Sequence, residues 1–325
     1  MAGPVKWKIR NIVLGVLLGS FCLYTYHYLT KCGSILWKDC MGTNRPKFLC
    51  IDFHGGMANQ MFMYAFGLSM SIQRNLEYIV PKDMMLTEIF NITPNTFNDH
   101  GFHSGSGFCT RQYEDILDCG YDSSFQKLPS IDLSFKGYFQ SWKYWIRYEN
   151  ELRKAFTFKP WISEMADKQI RNIMTKRNAT YKDGTTFIGV HVRNGDYSNK
   201  HFAEFGYRLA PASYLKNAMD YFRNRFNKVL FIVCTNDLKW TSQIIGKEKD
   251  IYLTPAGNPA PVDMALLSLT NHTVMTVGTY GWFISWLTRG ITIHYKYPYV
   301  IGSDFSKQFH SNYSDHFYPG WIAME

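Results

Sequence analysis

Between Phe187 and Tyr197 the chain reads FIGVHVRNGDY. Ile188, Val190 and Val192 fall on one side of a period of two, and Gly189, His191 and Arg193 on the other. That spacing predicts a strand with one apolar face. It ends at Asn194-Gly195-Asp196, a turn signal. VLFIVC at 229–234 is apolar without alternation, as a strand covered by helices on both faces should be. It stops at Thr235-Asn236-Asp237. Between the two, Pro211 opens a helix expected over 212–226. Further on, a strand at 251–253, a helix at 263–269, a strand at 273–277, a turn at 278–281, a helix at 282–288 and ITIHY from 291 complete a βαβα series. Such a series predicts a parallel sheet.

The first half repeats the theme less regularly. FLCIDF at 48–53 reads as a buried strand. Gly55-Gly56 makes a tight turn, with Asn59 expected to cap the following helix. Phe62, Ala65, Phe66, Ser69 and Met70 keep helical spacing, and LEYIVP at 76–81 is the next strand, so this is a βαβ unit. Its glycine turn lacks the third glycine of GxGxxG and a GK[ST] ending, so it carries no nucleotide assignment by itself. Residues 94–130 are irregular. Cys109 and Cys119 lie there, and a bridge between them would close a small loop, but spacing leaves the connectivity open. LSFKGYFQSW from Leu133 reads as strand and turn, followed by helices expected at 143–156 and 163–177. The polar run 177–186 is the best boundary between two domains.

The amino terminus differs from both. Lys6, Lys8 and Arg10 precede nineteen residues, 11–29, that contain no Asp, Glu, Lys or Arg. At about 1.5 Å per residue this stretch matches a bilayer's hydrocarbon core. Tyr24, Tyr26 and Tyr28 gather at its far end, where an interfacial belt sits. The preceding basic residues predict a cytoplasmic amino terminus. No A-x-A-like cleavage site follows, so an uncleaved signal-anchor is expected, with a cytoplasmic tail at 1–10 and a stem at 30–47. The remainder divides into domains at 48–180 and 181–325.

Composition narrows the chemistry. The 325 residues are 46% hydrophobic and 17% aromatic, enough for a large core, and the net charge of +9 is spread rather than clustered. Nothing resembles a tract that follows nucleic acid. The seven cysteines form no CxxC pair, which argues against a zinc site. Asn91, Asn178, Asn271 and Asn312 begin Asn-x-Ser/Thr sequons, in keeping with an oxidising, glycosylating compartment. Asn271 lies within a dense apolar segment and is expected to be the least accessible of the four.

Three strand ends converge in the second half, at 191–196, 235–237 and 278–282. Ligands of open parallel sheets bind beyond such carboxyl ends. His191, Arg193 and Asp196 suit a phosphorylated ligand, although a structural Arg193–Asp196 pair would read the same way. The turn at 278–281 presents backbone N–H groups at a helix start, where Thr279 adds a hydroxyl. Asp263 either accepts from a base such as guanine or caps its helix. No DxD is present, and Asp237 stands alone. A nucleotide sugar would therefore have its diphosphate neutralised by protein groups, without a metal.

Four segments carry a family resemblance: GGMANQMFMYA at 55–65, IGVHVRNGDY at 188–197, FIVCTNDLKW at 231–240 and DMALLSLTNHTVMTVGTYGWFISWL at 263–287. Together they resemble the galactoside α-1,2-fucosyltransferases, glycosyltransferase family 11, over most of 48–295. The resemblance implies an inverting transfer of L-fucose from GDP-β-L-fucose to the 2-hydroxyl of a terminal β-galactose. It also implies a GT-B-like α/β fold with two Rossmann-like domains facing a cleft, a type II Golgi membrane anchor and no cofactor. His191 and Arg193 fall on the His and first Arg of the family's HxRRxD pattern, Asp263 on the guanine reader, and Thr279 and Gly281 on the phosphate-binding turn. Asn59 and Gln60 match the motif facing the acceptor. The chain departs from the pattern at Asn194, where a second Arg is usual, and at Ala58, where Gly is usual. Fucose transfer to another glycan or protein acceptor, and a non-catalytic sugar-binding relative, remain alternatives. Terminal β-galactosides and the membrane are the expected partners, nucleic acid is not, and a homodimer is compatible with the sequence.

Overall fold

The computed structural model describes residues 45–100, 109, 111–195, 199–246, 248–310 and 313–325. The expected anchor at 11–29, its flanking tail and stem, and the candidates Asp196 and Asn312 lie outside them. Among the described residues, no helix is long and apolar enough to cross a membrane.

Two parallel sheets organise the chain. The first comprises β1 (Phe48–Ile51), β2 (Glu77–Tyr78), β3 (Gln112–Glu114) and β4 (Leu133–Lys136), in the order β2-β1-β4-β3. Its helices are α1 (Met57–Arg74), the short α2 (Leu86–Ile89), α3 (Glu149–Ala155) and α4 (Pro160–Arg177). The second sheet contains β5 (Thr186–Val192), β6 (Val229–Thr235), β7 (Ile251–Leu253), β8 (His272–Met275), β9 (Thr292–Tyr295) and β10 (Ile322–Met324). Their order is β10-β9-β8-β5-β6-β7, with every neighbouring pair parallel. Around it run α5 (Lys200–Phe205), α6 (Ala212–Arg225), α7 (Leu238–Ile244), α8 (Ala260–Ser268) and α9 (Thr279–Thr288).

The expected period of two in β5 is present, but both faces are buried. Ile188, Val190 and Val192 pack with Tyr214, Leu215, Ala218 and Phe222 of α6. On the other face Gly189 lies under α8: a Cβ there would meet the Thr270 hydroxyl at 2.9 Å and the Leu267 carbonyl at 3.2 Å. The glycine is a packing requirement of a strand covered on both sides.

The first half departs from expectation in four places. Residues 143–156 are not one helix: two 3-10 turns at Trp142–Tyr144 and Ile146–Tyr148 precede α3. Distant bonds account for this, since Ser141 Oγ donates to the Asp315 carbonyl (2.6 Å) and Trp142 Nε1 to the Ser314 carbonyl (2.9 Å). The irregular stretch holds a strand, β3, which pairs with β4. Cys109 is bonded to Cys50 rather than to Cys119, which is a buried free thiol. Finally, Gly56 rather than Asn59 occupies the cap of α1.

One hydrophobic cluster joins the halves. Phe62 of α1 lies 4.8 Å from Trp282 and 4.6 Å from Phe283 of α9, ring centre to ring centre. Trp145 meets Trp282 and Trp286 edge-on. Each fully buried aromatic contributes roughly 1.5–3 kcal/mol through removal from water. This shared core fixes how the carboxyl edges of the two sheets face each other.

Candidate active site

In each sheet the first strand has later strands on both of its sides. In the second sheet β6 and β7 lie to one side of β5, and β8 to the other. In the first, β2 lies on one side of β1 and β4 on the other. A crevice opens beyond the carboxyl ends at such a switch point. Here the two switch points face one cavity of about 490 Å³. Gly56–Asn59, Asp118, Tyr138 and Gln140 line it from the first sheet; Arg193 and Val277–Tyr280 line it from the second.

Arg193 immediately follows β5, and its N–H donates to Thr276 Oγ1 (2.9 Å). Gly278 caps α9 at φ +90°, a conformation that favours glycine. The first turn of α9 therefore starts at the cavity wall, with the helix's unpaired N–H groups and positive dipole end. A guanidinium and a helix amino terminus on one wall form an anion site.

His191 and Gly281 have a joint role that spacing did not reveal. Both are buried, and a Cβ at Gly281 would sit 2.5 Å from His191 Nδ1. The glycine admits the imidazole, which also packs on the Tyr280 ring at 5.1 Å. Thus Gly281 seats α9 on the end of β5.

Asp237 caps α7 by accepting from the Trp240 N–H (3.0 Å), and its other oxygen accepts from Asn194 Nδ2 (2.9 Å). Those two bonds, in that order, hold its pKa below the usual carboxylate value. The Asn194 and Gly195 N–H groups both donate to Asn236 Oδ1. Asn194, where the family pattern has its second Arg, is therefore committed to fastening the turn after β5. Asp263 accepts from Asn258 Nδ2 (2.8 Å), and burial raises its pKa. Neither Asp237 nor Asp263 lines the cavity.

Across the cleft, Asn59 Oδ1 accepts from Thr279 Oγ1 (2.7 Å) and from Gln140 Nε2 (3.4 Å). Its side chain joins the two walls instead of capping its own helix. Gln60 does not face the cleft as expected: it is buried, and its Nε2 donates to the Gly55 carbonyl (3.2 Å). Asn91 and Asn178 are exposed. Asn271 is exposed as well, against expectation, although its Oδ1 accepts from the Phe187 N–H (2.9 Å).

The turn after β4, expected from the sequence, also supplies the cavity wall, a role its pattern does not announce. Gly137 has φ +135° and Phe139 φ +51°. A bulky residue at positive φ is strained, and packing must hold it. Here the Phe139 ring stacks on Phe66 at 3.9 Å. Asp115 adds a second restraint by accepting the Phe139 N–H (2.8 Å). The double reversal places Tyr138 and Gln140 on the cavity wall beside Asp118. The visible signal was Gly137 inside LSFKGYFQSW, read only as a turn. Among the described residues, no group of three or more His, Cys, Asp or Glu is arranged to hold a metal ion.

Comparison with known proteins places this geometry. Galactoside alpha-(1,2)-fucosyltransferase 2 of Gorilla gorilla gorilla is 29% identical over 280 residues, spanning 84% of this chain and 78% of that protein. Galactoside 2-alpha-L-fucosyltransferase SEC1 of Bos taurus is 28% identical over 280 residues, spanning 84% and 73%. Among solved structures, a mutant of Arabidopsis thaliana FUT1 in complex with GDP superposes with a TM-score of 0.50 at 12% identity, covering 79% of this chain and 72% of that one. That likeness is one of fold, and agrees with a GT-B-like arrangement of two parallel α/β sheets about a cleft. The model of glycosyl transferase family 11 matches residues 28–325, and the chain belongs to that family.

Proposed function

We propose that this chain transfers L-fucose from GDP-β-L-fucose to the 2-hydroxyl of a terminal β-galactose, with inversion at the anomeric carbon. The observation that carries the reading is the meeting of two switch points across one cavity, Arg193 and the start of α9 on one wall and the Asn59 turn on the other. The printed names of the relatives supply the reaction class. In this reading Arg193 and the N–H groups of the first turn of α9 take up charge as the diphosphate departs. Such preorganised donors act most strongly where charge develops. They give the diphosphate its counter-charges without a divalent ion. Asp263, held by Asn258 and lying off this cavity wall, keeps the guanine-reading role on the family resemblance alone. Asp196, His191 and Thr279 complete the donor side, and Asn59 orients the acceptor side.

The same reading places the amino terminus in the cytoplasm, segment 11–29 across the Golgi membrane and the catalytic domains in the lumen, divided near 180. Glycans on Asn91 and Asn178 would be compatible with their exposure.

Incubating the full chain in detergent with labelled GDP-fucose, lactose and EDTA tests the function. An α-1,2-linked product supports the reading, and transfer to another position redirects it to a different acceptor. Donor binding with no transfer to any galactoside overturns it.

A further inference from the structure

We propose that Asp118 is the general base that takes the proton from the attacking acceptor hydroxyl; the assignment rests on the fucosyl-transfer reading above. Asp118 is the one carboxylate among the described residues that line the cavity. It sits beyond the carboxyl end of β3, on the wall opposite Arg193. An inverting displacement needs this disposition, with the base on the acceptor side and the cationic groups on the leaving-group side.

The surroundings hold Asp118 from three directions. Its N–H donates to Gln308 Oε1 (3.1 Å), and the next N–H, of Cys119, donates to the Gln308 carbonyl (3.1 Å). Its carbonyl accepts from the Gln140 N–H (2.7 Å). The peptide is thus fixed between the β4 turn and the carboxyl-terminal segment, the kind of support a catalytic group needs. Burial raises its pKa, the Tyr138 N–H opposes that shift, and His54 opposes it further while Glu114 adds to it. A carboxylate made more basic in this way is a better proton acceptor.

Two other titratable groups on the cavity wall are less suited. Burial drives the Cys119 thiol well above its ordinary value. His316 is buried, its Nδ1 lies 3.0 Å from the Gln140 carbonyl, and burial lowers its pKa to about 4. A histidine held neutral with so low an affinity for protons is a weak base.

In the step, a lone pair of the galactose 2-oxygen forms the bond to the fucose anomeric carbon. The bond from that carbon to the β-phosphate oxygen breaks, and its electron pair leaves on GDP. The hydroxyl proton passes to the Asp118 carboxylate and then to solvent.

The test uses the full chain in detergent and measures turnover with lactose, GDP-fucose affinity and the pH profile. For Asp118→Asn we expect kcat to fall between about a hundredfold and ten-thousandfold, with GDP-fucose affinity within about twofold of the parent. The parent should lose kcat on acidification, and the residual activity of the variant should lack that limb. His54, Glu114, Asp115, Tyr138 and Cys119 are the titratable groups around Asp118, with His316 and His201 also on the cavity wall. His54→Gln should shift the acid limb without abolishing it. Asp118→Glu should keep the limb at reduced kcat, and formate should restore part of the kcat of Asp118→Ala.

Near-parent turnover in Asp118→Asn, while Arg193→Lys is impaired, would overturn the base and leave the fucosyl-transfer reading intact. Loss of GDP-fucose binding in both the Asn and Glu variants would assign Asp118 to the architecture of the cleft and also overturn the proposal. Failure of the parent to fucosylate any galactoside would instead sink the underlying reading.

Discussion

The two walls of the cleft are built by different means. The wall from the second sheet is made of strand ends: β5 has seven residues, is covered on both faces, and pairs along its whole length with β6 and over four residues with β8. Arg193 is the residue after β5, and Gly278 lies three residues beyond β8, at the start of α9. The wall from the first sheet is made of turns. β3 and β4 have three and four residues, and Asp118, Tyr138 and Gln140 lie in the loops beyond them. What positions those loops is an aromatic stack and a buried carboxylate. Loops change more readily than strand registers, so the first wall is the one more open to change in sequence.

If that contrast is real, the first wall should collapse when its stack is cut. Phe66 is fully buried, and its ring meets Phe139, Phe125, Phe135 and Tyr144. Phe66→Ala should lower unfolding free energy by about 3–5 kcal/mol. Denaturant melts will measure this. At temperatures where the variant is folded, acceptor KM should rise more than donor KM, since released strain at Phe139 would swing Gln140 off the cavity. Equal changes in both KM values would mean the walls are not independent.

The second wall is broken by chemistry more than by packing. Arg193→Lys keeps the charge and the backbone bond to Thr276 but loses the planar fork. Turnover should fall about a hundredfold, the loss seen when one donor to developing charge is removed. The melting temperature should stay within about 2 °C, because the altered atoms are at the cavity surface. Single-turnover assays with thermal melts on the same samples check both halves of the claim.

Asp115 makes the contrast sensitive to pH. Burial pushes its pKa up to about 7, against the two N–H bonds from Phe139 and Leu117. The folded chain then binds a proton that the unfolded chain has released between about pH 4 and pH 7. Stability contributed by this group is full below the lower bound and is lost as pH rises through the upper one. The parent should therefore show declining stability across that window, and Asp115→Asn should not. The two N–H donors retain part of the charged form, so the decline is smaller than an unsolvated carboxylate alone would give.

The same contrast explains what the sequence disclosed. β5 and the helix at Pro160–Arg177 follow from apolar spacing, because each is long enough for a period to repeat, and β6 follows from an unbroken apolar run. The anion wall was legible because strand ends and glycine turns mark it locally. The opposite wall was not. Gly137 and Phe139 adopt positive φ, Cys109 reaches back to Cys50, and the bonds from Ser141 and Trp142 run to residues more than 170 positions away. None of these leaves a repeating pattern. Asn59 was read as a cap for the same reason: its partner, Thr279, is 220 residues distant.

That distant pair offers the finest test of how far the walls are coupled. Thr279→Val removes the hydroxyl donor while nearly preserving volume. The Asn59 carbonyl then keeps only the longer bond from Gln140 among its described partners. A net hydrogen bond of this kind contributes about 0.5–1.5 kcal/mol, so the melting temperature should fall by a few degrees at most. Its effect on catalysis depends on which wall Asn59 serves. If Thr279 only completes the anion site, donor KM rises and acceptor KM is unchanged. If it clasps the acceptor turn to the helix start, both rise together, and Asn59→Ala in the Thr279→Val background adds little more. The double-mutant cycle separates these outcomes: a coupling energy near zero would show that two walls built by different means also work independently.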